Sequence, residues 1–188
     1  MTKLRSDAAQ RRDLILDAAD EVFSAHGVTA PLDLVVERAG VGRATLYRNF
    51  PDRAALMEAL LERTLLALEE HAAARSGDDD LLFVLFERYA YLIVEAPAMT
   101  DYWRAVDADH PIRKAARERV ASIFRSPLAR AIDAGLCRPD LRLTDITLVT
   151  GMLGASLRGS TPANRKALAR RALELLRCGL AASESMAN

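Results

Sequence analysis

Residues 39–53 read Ala39-Gly40-Val41-Gly42-Arg43-Ala44-Thr45-Leu46-Tyr47-Arg48-Asn49-Phe50-Pro51-Asp52-Arg53. The two glycines and the Pro51-Asp52 break leave room for one short helix, Arg43 to Asn49, entered through the tight link Ala39-Gly40-Val41-Gly42. Just upstream, Pro31 suits the first position of a short helix that reaches Arg38 and stops at Gly40. Before it, Ile15, Ala18, Ala19, Val22 and Phe23 form one apolar stripe on a helix from Ala8 to His26, ended by Gly27. Two short helices joined by a glycine-containing turn, behind a longer one, have the layout of a helix-turn-helix. Its second helix must lie in a DNA groove, so it must be short, open on one face and poor in acids. Leu46 and Phe50 can face the module's core, leaving Arg43, Thr45, Tyr47, Arg48 and Asn49 over the exposed side. Guanidinium forks, a hydroxyl, a phenol and an amide suit base edges and phosphates.

Charge has to be read locally. The 188-residue chain carries 26 basic and 26 acidic side chains, so net charge offers no argument for a nucleic-acid partner. From Arg38 to Arg53 four basic residues face one acid, Asp52, and the first 12 residues carry Lys3, Arg5, Arg11 and Arg12 against Asp7. Residues 1–63 still hold nine basic and ten acidic side chains. The acids Asp13, Asp17, Asp20, Glu21, Asp33 and Glu37 are therefore expected on other faces. The competing reading is a basic, solvated helical hairpin, a protein–protein interaction module without DNA binding.

Outward from the motif, the periodicity stays helical. Asp52 is a good N-cap for a long helix to about Ala74. Ser76-Gly77-Asp78-Asp79-Asp80 forms a linker, and its acids favour the start of the next helix, about Asp79 to Glu95. That helix is apolar nearly all round and belongs in the centre of a bundle. Pro97, Pro111 and Gly135 bound helices near Ala98–Asp107 and Pro111–Ala134, the second kinked or split by Pro127. Thr144 caps a helix to Arg158, Gly159 ends it, and Thr161-Pro162 opens the last, to about Ala182. Nine helices and no strands make an all-α chain: a helix-turn-helix module over 1–55 and a helical bundle over 56–188.

Several function classes lack residues. Cys137 and Cys178 are too few for a disulfide scaffold and read as reduced, buried thiols of a cytosolic protein. The longest stretch without Asp, Glu, Lys or Arg is Ile146 to Leu157, 12 residues, short of the ~20 that span a bilayer. The first residues lack the apolar run of a signal peptide. A soluble, cytoplasmic protein without a membrane anchor is expected. His26, His71 and His110 share no metal-ligand spacing with each other or with either cysteine, and no serine elbow, P-loop or dinucleotide fingerprint occurs. Neither an enzyme, a metal nor another cofactor is expected.

Residues 39–56, running on through Ala54-Ala55-Leu56, closely resemble the helix-turn-helix of the TetR family of bacterial transcriptional regulators. The resemblance extends over about residues 9–60: Ile15, Ala18, Ala19, Phe23 and Gly27 match the family's first helix, and Leu32 to Val41 its second. Gly42 stands where Ser is usual, which weakens the N-cap of the recognition helix, and Asn49 replaces an aromatic or His. The resemblance implies that Arg43, Thr45, Tyr47 and Arg48 contact double-stranded operator DNA, with Asn49 beside them, and that Arg53 clamps a phosphate. It implies a small-molecule ligand enclosed by the middle helices. Of the aromatics there, Phe86, Tyr89, Tyr102 and Trp103 are the candidate contacts for a small apolar or aromatic ligand, and three carry a hydrogen-bond donor. It also implies a homodimer through the last two helices, where Gly151, Gly154 and Ala155 make a small-residue face opposite Leu168, Ala172, Leu175 and Gly179. The function implied is a repressor released from a palindromic operator by its ligand.

Overall fold

The computed structural model describes the backbone of residues 2–182 and the side chains of 8–182. Among the described residues nine α-helices follow one another: α1 (Thr2–His26), α2 (Leu32–Ala39), α3 (Arg43–Asn49), α4 (Arg53–Ala74), α5 (Leu81–Glu95), α6 (Pro97–Ala105), α7 (Pro111–Asp133), α8 (Leu143–Leu153) and α9 (Pro162–Leu180). A 3₁₀ turn, Gly154–Arg158, follows α8. Among the described residues there is no strand, only one antiparallel bridge between Cys137 and Ala181. The all-α expectation holds.

Local chemistry sets the helix ends. Gly40 sits at φ 63°, and the Gly40 and Val41 amides donate to the carbonyls of Glu37 and Val36 at 3.2 and 3.3 Å. That pair of bonds caps α2 in a Schellman motif, which needs a left-handed residue that glycine adopts without strain. Gly135 repeats the arrangement at the end of α7, at φ 67°, with Leu136 donating to Ala131 at 2.9 Å. Asp52 caps α4 as expected, its Oδ1 accepting from the Ala55 amide at 2.8 Å.

Two ends of α8 differ from expectation, and of the kink or split expected at Pro127 the split is absent. Helix α7 runs on through buried Pro127 without splitting. The cap of α8 is not Thr144: the helix starts at Leu143, and the Asp145 carboxylate accepts from the Arg142 amide at 2.8 Å. The α-helical part of α8 closes at Leu153, because the Ser156 hydroxyl donates to the Leu153 carbonyl at 2.8 Å and the backbone tightens into the 3₁₀ turn.

The chain divides into two compact units. One runs to Arg63 and takes in Ala96–Asp107, hence α6; the other comprises Thr64–Glu95 and the chain from Ala108 on. The change falls inside α4, whereas residues 1–55 alone formed the expected module. In the first unit Ile15, Ala19, Phe23, Val35, Leu46, Phe50, Leu56, Met57 and Trp103 are buried. Its α4 segment is tied to α1 by Arg63, which bonds Asp17 at 2.6 Å and Asp20 at 3.4 Å.

In the second unit α5 is the central helix, packed against α7, α8 and α9. Eight of its 15 residues are buried, and Phe86 meets Phe124 with ring centroids 4.9 Å apart. Glu87, Tyr91 and Glu95 are its exposed residues, and the aromatic one, Tyr91, is 52% exposed. A two-pronged Arg119–Glu69 ion pair, at 2.6 and 2.7 Å, joins α7 to the second half of α4. Burial of Cys137 follows expectation, but Cys178 is exposed, because it lies on a solvent-facing side of α9.

Candidate nucleic-acid interface

Helix α3 has only seven residues, so its orientation depends on what anchors it. Leu46 is fully buried and Phe50 is 1% exposed, as their spacing predicts. The Arg12 guanidinium of α1 covers the Phe50 ring at 4.4 Å. With those two side chains inward, Arg43, Tyr47 and Arg48 face solvent, and Thr45 and Asn49 lie half-buried at the edges. Gly42 is the N-cap at φ −77° and ψ 150°, and no side chain caps the first turn.

The polar groups on this surface are pre-arranged. Arg43 Nη2 meets Asp33 Oδ2 of α2 at 2.6 Å, and Arg48 Nη2 reaches Thr45 Oγ1 at 3.5 Å. The Asn49 amide donates to the Thr45 carbonyl at 2.8 Å, an internal use that replaces a free amide on the outer face. Asp33 was expected on another face. It lies beside the recognition helix instead, because the first turn of α2 adjoins the start of α3. Glu21 pairs with Arg38, and Asp17 and Asp20 with Arg63, so three more acids of the first unit are matched by cations.

Arg53, expected to clamp a phosphate from the start of α4, has partners inside the module in the DNA-free chain. Its side chain is half-buried, and its guanidinium donates to the carbonyls of Val28 and Ala30, the second at 2.6 Å, while lying over the Phe23 ring at 5.3 Å. The residue thus fastens the turn between α1 and α2 to the first turn of α4. Nothing in the spacing marks this, since both carbonyls lie more than 20 positions upstream.

The four aromatics expected around a ligand do not come together within one unit. Phe86 and Tyr89 lie on α5 in the second unit; Tyr102 and Trp103 lie on α6 in the first. Trp103 is 8% exposed, its Nε1 donates to the Met57 carbonyl at 3.4 Å, and Tyr102 meets it edge-on at 5.1 Å. Contacts of α6 with α1 account for its grouping. Among the described residues, no three of His, Cys, Asp and Glu converge to hold a metal ion, and no helix is long and apolar enough to cross a membrane.

Comparison with known proteins agrees with this geometry. The family model described as bacterial regulatory proteins, tetR family, matches residues 15–60, from the buried stripe of α1 into α4. A crystal structure of a TetR transcriptional regulator from Streptomyces coelicolor is 32% identical, with a TM-score of 0.69 over 92% of this chain and 99% of that one. The chain belongs to the TetR family. A TetR regulatory protein from Mycobacterium vanbaalenii is 26% identical, at a TM-score of 0.70 over 95% of this chain and 99% of that one. Among curated relatives, the HTH-type transcriptional regulator SrpR of Pseudomonas putida is 40% identical over 60 residues, 31% of this chain and 28% of that protein. The probable HTH-type regulator ArpR of the same species is 33% identical over 81 residues, 43% of this chain and 38% of that protein. These matches span well under half the length of either curated relative. The residues matched by the family model lie within the first unit.

Proposed function

We propose that this TetR family protein is a cytoplasmic repressor that binds a palindromic double-stranded operator as a homodimer and is released by a small apolar or aromatic ligand. The observation that carries the reading is the seven-residue α3, anchored by Leu46 and Phe50, with Arg43, Tyr47 and Arg48 turned to solvent. Arg43 and Thr45 open the helix, the end that normally meets base edges, and Tyr47 and Arg48 complete the contact. Phe86 and Tyr89 are the ligand contacts assigned to the second unit; Trp103 serves as a buried reporter in the first.

Support for the homodimer comes from α8 and α9. Leu148 is 62% exposed and Met152 55% on the first, and Leu168 is 46% and Leu175 58% on the second. Gly151 and Gly179 leave open space where a side chain would stand. Large apolar side chains gathered on neighbouring helices mark an interaction surface, and small residues between them allow close helix approach. A two-fold pair would set two recognition helices about 34–36 Å apart, one turn of DNA.

The test is a mobility shift on genomic fragments recovered with the protein, repeated over a salt series. A regulator loses affinity with a log–log slope of about −0.9 per phosphate contact, whereas an interaction module shows no such slope. Arg43→Ala should relax discrimination at particular base pairs by about 1–3 kcal/mol. In the same preparations, Leu148→Glu with Leu175→Glu should convert dimers to monomers in sedimentation. Ligands that raise the melting temperature yet never alter DNA affinity would remove the proposed coupling, which requires different affinities for two states.

A further inference from the structure

Helix α9 presents two different flanks. At about 3.6 residues per turn, Leu168 and Leu175 fall on one side of the buried Ala169 and Leu180, and Lys166, Arg170 and Arg177 fall on the other. That second flank faces α5 across a cleft of about 580 Å³. Ala90 and Val94 of α5 with Ala169 and Leu173 of α9 supply its apolar wall, and the half-exposed Tyr91 stands at its edge. This volume is typical of a small-molecule site. On α5, Tyr89 lies about half a turn away from this wall, so the cleft is distinct from that ligand contact, while Phe86 lines a smaller pocket adjoining it.

The charges around the cleft do not cancel. Lys166 bonds Glu95 at 2.7 Å, Arg177 reaches Glu87 at 4.0 Å, and Arg171 meets Glu174 at 2.9 Å, so each of the three acids already has a cation. The exposed side chain of Arg170 lines the cleft and makes no hydrogen bond or ion pair to a described residue. On α5, outside the lining of the cleft, Arg88 lies over the Tyr91 ring at 5.5 Å. A guanidinium is best matched by a planar carboxylate.

We propose that the α5–α9 cleft binds a small amphipathic carboxylate, its head paired with Arg170 and its tail along Ala90, Val94 and Leu173. The unpaired guanidinium of Arg170 disfavours a cationic ligand. A purely polar anion would leave the apolar wall uncovered. The opposite flank of α9 carries the apolar side chains assigned to the homodimer, so that pairing leaves the cleft open to a ligand.

Calorimetric titration of the full chain with decanoate, 1-decanol and decylamine, each below its aggregation threshold, tests the proposal. Decanoate should bind saturably, and Arg170→Gln should weaken it by about tenfold or more, since a charge-assisted bond is lost. Tyr91→Ala, at an exposed position that leaves the core intact, should weaken it as well, and the alcohol and the amine should bind the parent less tightly than decanoate does. Absence of saturable decanoate binding overturns the proposal. So does binding that survives Arg170→Gln, or that the alcohol or amine matches. If these substitutions change the sedimentation behaviour and leave decanoate binding as it was, a second copy covers the cleft and the proposal also falls. Loss of decanoate binding with DNA binding intact distinguishes failure here from failure of the regulator reading.

Discussion

Replacing Arg53 by Ala separates a residue that holds the module together from one that holds DNA. The substitution removes two donors from the Val28 and Ala30 carbonyls and a guanidinium from the Phe23 ring. Ala30 is buried, so its carbonyl regains water poorly; Val28 is half-buried and regains more. Bonds from a charged donor contribute about 1.5–3 kcal/mol each, and the half-exposure of Arg53 argues for the low end or below. Adding about 0.5 kcal/mol for the ring contact gives a loss of roughly 2–3 kcal/mol. At about 2–4 °C per kcal/mol for a chain of this length, the melting temperature should fall by roughly 5–10 °C. Arg53→Lys, with one compact donor head in place of a fork, should lose about half as much. Trp103 is the single tryptophan and is buried in the same unit with its indole on the Met57 carbonyl, so its fluorescence follows this unit's unfolding. The measurement is a thermal melt without DNA, paired with a salt series in its presence. A protein with Arg53→Ala that melts with the parent while its salt slope drops by about 1 per half-site would refute the inward role and restore the phosphate clamp.

Three further outcomes are expected. Gly159→Ala should destabilise the second unit by about 1–3 kcal/mol in urea titrations, because an added Cβ would stand 2.6 Å from the Arg165 amide nitrogen, a backbone atom that cannot swing aside. Gly42→Ser should raise stability by about 0.5–1 kcal/mol, since φ is −77°, the space is open, and a hydroxyl there can accept from the first turn of α3; an unchanged urea midpoint would count against it. The Arg119 guanidinium holds the Glu69 carboxyl below the usual carboxylate range, so the unfolded chain binds this proton more readily. The pair's contribution is therefore present above the unfolded pKa, about 4.3, and is lost as pH falls through the lower folded value. Glu69→Gln should cost stability at neutral pH and make acid unfolding shallower below about pH 5; parallel curves for both proteins would contradict this.

What the amino-acid sequence alone determines here is whatever depends on neighbours within one or two helical turns. Gly40 and Gly135 end their helices because glycine adopts positive φ without strain, and Asp52 starts α4 because a carboxylate reaches an amide three residues on. The inward placement of Leu46 and Phe50, and with it the outward face of α3, follows from spacing alone. Tertiary structure decided everything that turns on which distant group a side chain meets. Arg53 finds carbonyls more than 20 residues away, Arg43 finds Asp33, and Trp103 finds Met57. Grouping α6 with the first unit, exposing Cys178 and opening the cleft between α5 and α9 are likewise results of packing. Local periodicity says which face of a helix is apolar. Which surface covers that face, and what its long polar side chains reach across to, depends on the docking of segments far apart in the chain, where shape and unpaired carbonyls choose among partners that the linear pattern leaves equivalent.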